Sequence, residues 1–280
     1  MRTRLRLPSG GVSVYRERMK IADLRLYPIK SCRGLSVETA TIEARGFAGD
    51  RRAMIVHPDG RFLTQRSHPN LAQISVGLDE GLALTLGGRS VVAAFGAERL
   101  EVQVWGDTVS ARVAEGAVNA ALSDFLGEPV QLVLMDAQSD RPTDPRFGSP
   151  SQVSFADGFP YLITTTGSLD ALRASAGDQI PMDRFRPNIV IETEAPWLED
   201  TWTTLDLGGQ VFDLVKPCTR CVMTTLDQET GDQVGQSTMQ ALIQTRARAG
   251  DWGRGVLFGM NAIARTPGAV LRCGMPVTVV

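Results

Sequence analysis

The sequence predicts a mainly β protein with a few helices, an α+β chain. Three observations predict it. Short alternating apolar runs broken by turn residues extend from Ile21 to about Val113. The first amphipathic helix comes only at Glu115 to Leu126, and strand-like runs return after a polar loop from Asp136 to Ser154.

Taken in order, Ala53-Met-Ile-Val, His57-Pro-Asp-Gly and Arg61-Phe-Leu-Thr read as a hairpin, because proline presets the turn and glycine permits its left-handed position. Leu82-Ala-Leu-Thr-Leu and Val91-Val-Ala-Ala-Phe flank Gly87-Gly88, and Val102-Gln-Val-Trp precedes Gly106-Asp107. These strands are expected to curl into a barrel or a tight sheet. In the helix, Ala117, Val118, Ala121, Leu122, Phe125 and Leu126 share a face, Gly127 stands at the cap position, and the element reads as the join between two halves. After the loop, Tyr161-Leu-Ile-Thr-Thr-Thr reads as a strand and Ser168 to Ser175 as a short helix. Further strands are expected at Asn188 to Glu192, Trp202 to Leu207, Val211 to Val215 and Val222 to Leu226. A last helix, Ser237 to Arg248, opens with a Ser237-x-x-Gln240 capping box.

A chain of 280 residues with 43% hydrophobic content can bury one large core or two moderate ones. The expected division is an extension at 1–18, disordered or following a misassigned start before Met19, then units at 19–135 and 136–280. The formal charge of −2 supplies no basic stripe for nucleic acid. No window approaches the roughly 18 apolar residues of a membrane span. Met1-Arg-Thr-Arg-Leu-Arg has the charge of a leader, yet Pro8-Ser-Gly-Gly-Val follows where an apolar run is needed, so a cytoplasmic protein is expected. The four cysteines are too few and scattered for a disulfide scaffold. Of 29 basic residues only Lys20, Lys30 and Lys216 are lysine. A lysine kept against that bias suits a place that needs a compact ammonium.

Cys218-x-x-Cys221 admits several readings. A thioredoxin-type dithiol needs its first thiolate at a helix start, but the pair sits between strand-like runs. A zinc site needs four ligands, and Cys32, Cys273, His57 and His68 offer no paired spacing. A single thiolate for a soft, redox-active metal fits the cations Lys216 and Arg220 beside it. Two small apolar residues in a β core is the plain alternative. Tyr27-Pro-Ile-Lys-Ser-Cys-Arg-Gly puts an ammonium and a hydroxyl after a strand, which suits an anion or equally a solvated strand end. Gly49-Asp50-Arg51-Arg52 offers a bidentate clamp or a surface pair, and Arg184-Phe-Arg186-Pro-Asn188 sets polar groups on a stiff backbone. No Walker loop, nucleophile elbow or GxGxxG is present.

These segments, with Phe155-Ala-Asp-Gly-Phe-Pro, Lys216-Pro-Cys-Thr-Arg-Cys-Val-Met-Thr-Thr-Leu-Asp and Leu257-Phe-Gly-Met-Asn, together resemble the MOSC family. That family is named for the C-terminal domain of molybdenum cofactor sulfurase, and the likeness includes the β-barrel domain that precedes it. The resemblance runs from Met19 to Val280. Within the family it points toward the amidoxime-reducing components and their bacterial relatives, which reduce N-hydroxylated compounds by oxygen-atom transfer. The resemblance implies a molybdenum cofactor whose metal is held by Cys221, with Thr219 and Arg220 beside it and Lys30, Ser31, Arg51, Arg186 and Asn188 on the pyranopterin and its phosphate. Gly158 and Phe159 depart from the pattern, since relatives carry small hydroxyl residues there. With no dinucleotide fingerprint and no C-x₄-C-x₂-C run, electrons are expected from a separate ferredoxin, flavodoxin or cytochrome. A carrier or sulfur-transfer protein without turnover is the alternative function.

Overall fold

The structure is a computed structural model and describes residues 19–78 and 81–280. The expected extension at 1–18 lies outside the described residues. Seven strands close into a barrel. Its order is Tyr161–Thr165, Ile189–Glu192, Met19–Leu26, Pro276–Val279, Thr204–Leu207, Gln210–Arg220 and Gly253–Ala264, which pairs back onto the first. Only Tyr161–Thr165 and Ile189–Glu192 run parallel, joined by a crossover containing helix α2, Thr166–Ala176; helix α1 is Gly116–Leu126. Alternating side chains such as Ile21, Leu24, Ile163, Ile191 and Phe212 fill the barrel. Tyr161 packs edge-on between Phe47 and Phe212 at 5.0 and 5.1 Å.

The strand Met19–Leu26, first in sequence, thus sits among strands of the C-terminal half. Leu35–Val37 pairs with Met19–Leu26 and Thr39–Glu43 with Val270–Arg272, while most of the remaining N-terminal half forms small antiparallel sheets. Ala53–Val56, Gln131–Leu134, Asp107–Ala114 and Phe95–Val104 make one, and Ser75–Gly77, Ala83–Leu86 and Arg89–Val92 another. α1 covers their apolar face and ends at Gly127, whose φ of 78° is the left-handed cap expected of a glycine there. A third helix, α3, is Gln236–Arg246 and packs with α2 outside the barrel around Phe185 and Phe258. Among the described residues no helix is long and apolar enough to cross a membrane.

Several expected elements differ. Arg61 and Phe62 make only isolated bridges, and Ala53–Val56 pairs instead with Gln131–Leu134. Val222 to Leu226 is no strand. Val222–Thr225 forms a 3₁₀ turn, because the hydroxyls of Thr224 and Thr225 donate back to the carbonyls of Cys221 and Val222 at 3.0 and 2.7 Å. The capping box does not form either. Gly235 precedes the helix, no side chain caps it, and Ser237 Oγ donates to Asp178 Oδ2 at 2.8 Å. That helix stops at Arg246, and Ala247–Gly250 turns into an edge strand.

Candidate cofactor site

The Cys218-x-x-Cys221 segment is the end of a long strand and the turn after it. Gln210–Arg220 continues through Lys216-Pro217-Cys218, beyond the expected end at Val215. Its pairing with Gly253–Ala264 slips at Leu214/Lys216 and again at Pro217/Thr219. Pro217 has no N–H to give the ladder, so the strand bulges there, and bulges re-aim side chains. Cys221 starts the 3₁₀ turn. Both thiols line one cleft of about 370 Å³. Each sulfur accepts from a guanidinium, Cys218 from Arg220 Nη1 at 2.8 Å and Cys221 from Arg66 Nη2 at 3.2 Å.

All eight sequence-derived site residues, Lys30, Ser31, Arg51, Arg186, Asn188, Thr219, Arg220 and Cys221, line this same cleft. They converge from four places in the chain. The turn after Met19–Leu26 brings Lys30 and Ser31, the Gly49-Asp50 turn brings Arg51, and the 3₁₀ turn Met182–Phe185 delivers Arg186 and Asn188. Of five non-glycine residues with left-handed φ among those described, four line the cleft: Ser31 at 65°, Arg51 at 48°, Trp105 at 55° and Arg186 at 53°. Such backbone costs on the order of 1–3 kcal/mol per residue and clusters where a ligand is clamped.

Charge is the cleft's main property. Lys30, Arg51, Arg66, Arg184, Arg186, Lys216 and Arg220 line it against one carboxylate, Asp157. Lys30 is 6% exposed, and its Nζ donates to Phe155 O and Asp157 Oδ1, each at 2.8 Å. Burial pulls its pKa below the ordinary value, although Asp157 acts in the other direction. Arg51 and Arg186 stack on the ring of buried Tyr27, each 4.3 Å from its centre. Burial lowers the Arg186 pKa to about 10, which leaves it cationic at neutral pH.

Several of these groups are already engaged by protein. Arg51 donates to Asp50 at 2.6 Å, Asn188 Oδ1 at 3.1 Å and Arg186 O at 3.0 Å. Asn188 also accepts from Leu162 N and donates to Arg25 O, so its work is largely architectural. Others lack partners. Arg186 Nη2, Arg184 Nε and Arg220 Nε are buried with no hydrogen-bond acceptor. Buried guanidinium N–H groups without an acceptor are costly, and an anionic ligand in the cleft is what such groups can receive. A Cβ at Gly158 would meet nothing within 4 Å, so that departure from the resemblance leaves room. Among the described residues no cluster of three or more His, Cys, Asp or Glu side chains could hold a metal.

Sequence reasoning missed the residues that lock the halves together. Gln65 and Gln228, both buried, exchange side-chain hydrogen bonds. Gln65 also donates to Ser31 O at 2.8 Å, and Arg186 Nη1 donates to Gln228 Oε1 at 3.0 Å. An isolated glutamine carries no local signal. Arg66 and Trp105 were missed for the same reason, whereas Lys216 and Asp157 stood inside segments already singled out.

The chain is similar in sequence to known proteins. The chain is 29% identical to human mitochondrial amidoxime-reducing component 1 over 283 residues, covering 92% of this chain and 82% of that one. It is 29% identical to bovine mitochondrial amidoxime reducing component 2, covering 75% and 67%. It is 27% identical to rice molybdenum cofactor sulfurase, covering 84% of this chain and 31% of that one. A profile described as the MOSC N-terminal beta barrel domain matches residues 18–129, and one described as the MOSC domain matches 150–278. With both domains present in order, the chain belongs to the MOSC family.

Proposed function

We propose that this protein is a molybdenum-cofactor-dependent oxidoreductase that reduces N-hydroxylated compounds, with Cys221 as the protein's ligand to the metal. One observation carries the reading. A single cleft gathers seven cationic side chains, one carboxylate and two thiols, with buried guanidinium groups left without acceptors. A phosphate-bearing pterin would supply acceptors for those groups, and its sulfurs would join Cys221 as donors to the metal.

When bound, the cofactor supplies the oxygen-atom-transfer chemistry, and the protein supplies binding, orientation and field. Lys30, Arg51 and Arg186 bind the anionic end, with Ser31 and Asn188 shaping the same wall. Thr219 and Arg220 flank the metal end. Cys221 is the ligand by the resemblance of its segment. Both sulfurs carry a guanidinium contact, Cys221 from Arg66 and Cys218 from Arg220, whose other Nη is fixed on Phe185 O at 2.8 Å. Each turnover takes one oxygen from an N–OH group as water and consumes two electrons and two protons. A separate electron-transfer protein of ferredoxin, flavodoxin or cytochrome type delivers the electrons. Such encounters are small and charge-steered, so reconstituted turnover falls as salt rises.

Likeness to the cofactor sulfurases supports a second reading, a carrier or sulfur-transfer protein without turnover. Assay of benzamidoxime with reduced viologen separates the two. Reduction to benzamidine is expected with viologen and none with NADH or NADPH alone. No reduction by a fully molybdenum-loaded sample favours the carrier.

A further inference from the structure

Arg66 lies outside every motif, yet its Nη2 donates to Cys221 Sγ at 3.2 Å across 155 residues of sequence. The same guanidinium stands over the indole of Trp105, 4.9 Å from the ring centre. The backbone that carries Arg66 is fixed on both sides. Gln65 is tied to Ser31 and Gln228, and His68 Nε2 meets Glu128 Oε1 at 2.6 Å.

Trp105 stands in an unfavourable place. The hairpin between Phe95–Val104 and Asp107–Ala114 closes with two residues, Trp105 and Gly106. It is the tryptophan, not the glycine, that takes the left-handed φ of 55°. That position favours glycine, because a large L side chain crowds its own backbone there. Its indole is 43% exposed at the cleft, edge-on to Phe62 at 5.1 Å, with Nε1 3.3 Å from Asp157 Oδ1.

We propose that Arg66 is a positioning residue of the Cys221 site. Its guanidinium, backed by the Trp105 indole, keeps a positive charge and an N–H donor on the Cys221 sulfur. The N-terminal half thereby sets the behaviour of a thiol that the C-terminal half supplies. Arginine suits this task because a flat guanidinium stacks on an aromatic face and donates in its own plane at once. A cation hydrogen-bonded to a metal-bound sulfur favours the more reduced metal. That consequence for turnover rests on Cys221 being the metal ligand; the contact itself does not.

The test uses the full chain made in cells that cannot assemble the cofactor. It is alkylated at one pH with iodoacetate and, in parallel, with iodoacetamide, and Cys221 labelling is followed by peptide mass spectrometry. Both reagents consume the same thiolate, so the ratio of their rates cancels its abundance and reads local charge. Arg66→Ala is expected to lower the iodoacetate-to-iodoacetamide ratio at Cys221 about three- to tenfold, the effect of one charge about 4 Å away in a partly aqueous site. Arg66→Lys should restore about half of it. The ratio at Cys218, which faces Arg220, should stay unchanged.

Trp105→Gly puts glycine at the left-handed position while removing the backing. Tm is expected within about 3 °C of wild type, with the Cys221 ratio lowered at least about twofold. A fall in Tm with an unchanged ratio would reduce Trp105 to a structural part and overturn its backing role. In molybdenum-loaded protein, Arg66→Ala should lower the metal's midpoint potential by about 59 mV, a tenfold change in a one-electron equilibrium. An unchanged Cys221 ratio in Arg66→Ala overturns the proposal. A lowered ratio in a chain that never holds molybdenum leaves it standing and overturns the cofactor reading instead.

Discussion

Lys30 couples the cleft to pH through burial. Its depressed pKa means that the folded, ligand-free chain releases this proton before the unfolded chain does. The unfolded state therefore binds more protons in the window between the depressed value and the ordinary 10.5, and stability rises with pH across it. Wild type is expected to gain Tm relative to Lys30→Met as pH rises toward the ordinary value, and parallel curves across that rise would contradict the assignment. A bound anion reverses the trend, because losing the ammonium's charge weakens its retention as pH rises. Lys30→Ala is expected to cost about 1.5–3 kcal/mol of anion affinity, roughly tenfold to a hundredfold, with little change in fold. Arg51→Ala should behave differently. It strips the fully buried Asp50 of its cation, so a stability loss of about 3 kcal/mol should accompany lost affinity, measured by denaturant unfolding. Both cations were legible from their turn positions. The support beneath Arg51 was not, because Asn188 lies 137 residues further along the chain.

At the scale of elements, sequence patterning works where local chemistry has one outcome and fails where hydroxyls or distant partners compete. Gly127 ends its helix as expected because only a left-handed cap was needed. Val222 to Leu226 has strand-like composition, yet two threonine hydroxyls turn it back on itself. Ser237 leaves its capping box for Asp178, a partner invisible at short range. The turn after Met19–Leu26 offers an element-level test. A Cβ at Gly34 would collide with the Tyr27 ring, the plate on which Arg51 and Arg186 stack. Gly34→Ala is expected to displace both guanidiniums together and lower cofactor content at least about tenfold, with the barrel still folded by circular dichroism. Full cofactor content in a folded Gly34→Ala protein would show that Tyr27 does not position them.

Across the whole molecule, the closed barrel crosses the boundary that the sequence suggests. Met19–Leu26 sits between Ile189–Glu192 and Pro276–Val279, so a fragment starting at residue 136 lacks a strand of its own barrel. That fragment is expected not to fold alone, and the full chain to unfold in one calorimetric transition. A folded fragment would contradict this shared core. Alternating apolar runs marked the β class, but ring closure depends on pairings between residues more than a hundred positions apart, which no local period encodes. The same closure carries Lys30, Arg51, Arg186 and Cys221 to one cleft, and there the central claim is decided. Its most direct test is molybdenum and pterin analysis of wild type, Cys221→Ala and Cys218→Ala purified from cells that make the cofactor. The expected result is about one molybdenum per wild-type chain, none in Cys221→Ala and most of it retained in Cys218→Ala, since one protein thiolate suffices beside the pterin sulfurs. Zinc in place of molybdenum, or equal metal loss in both variants, would contradict the account.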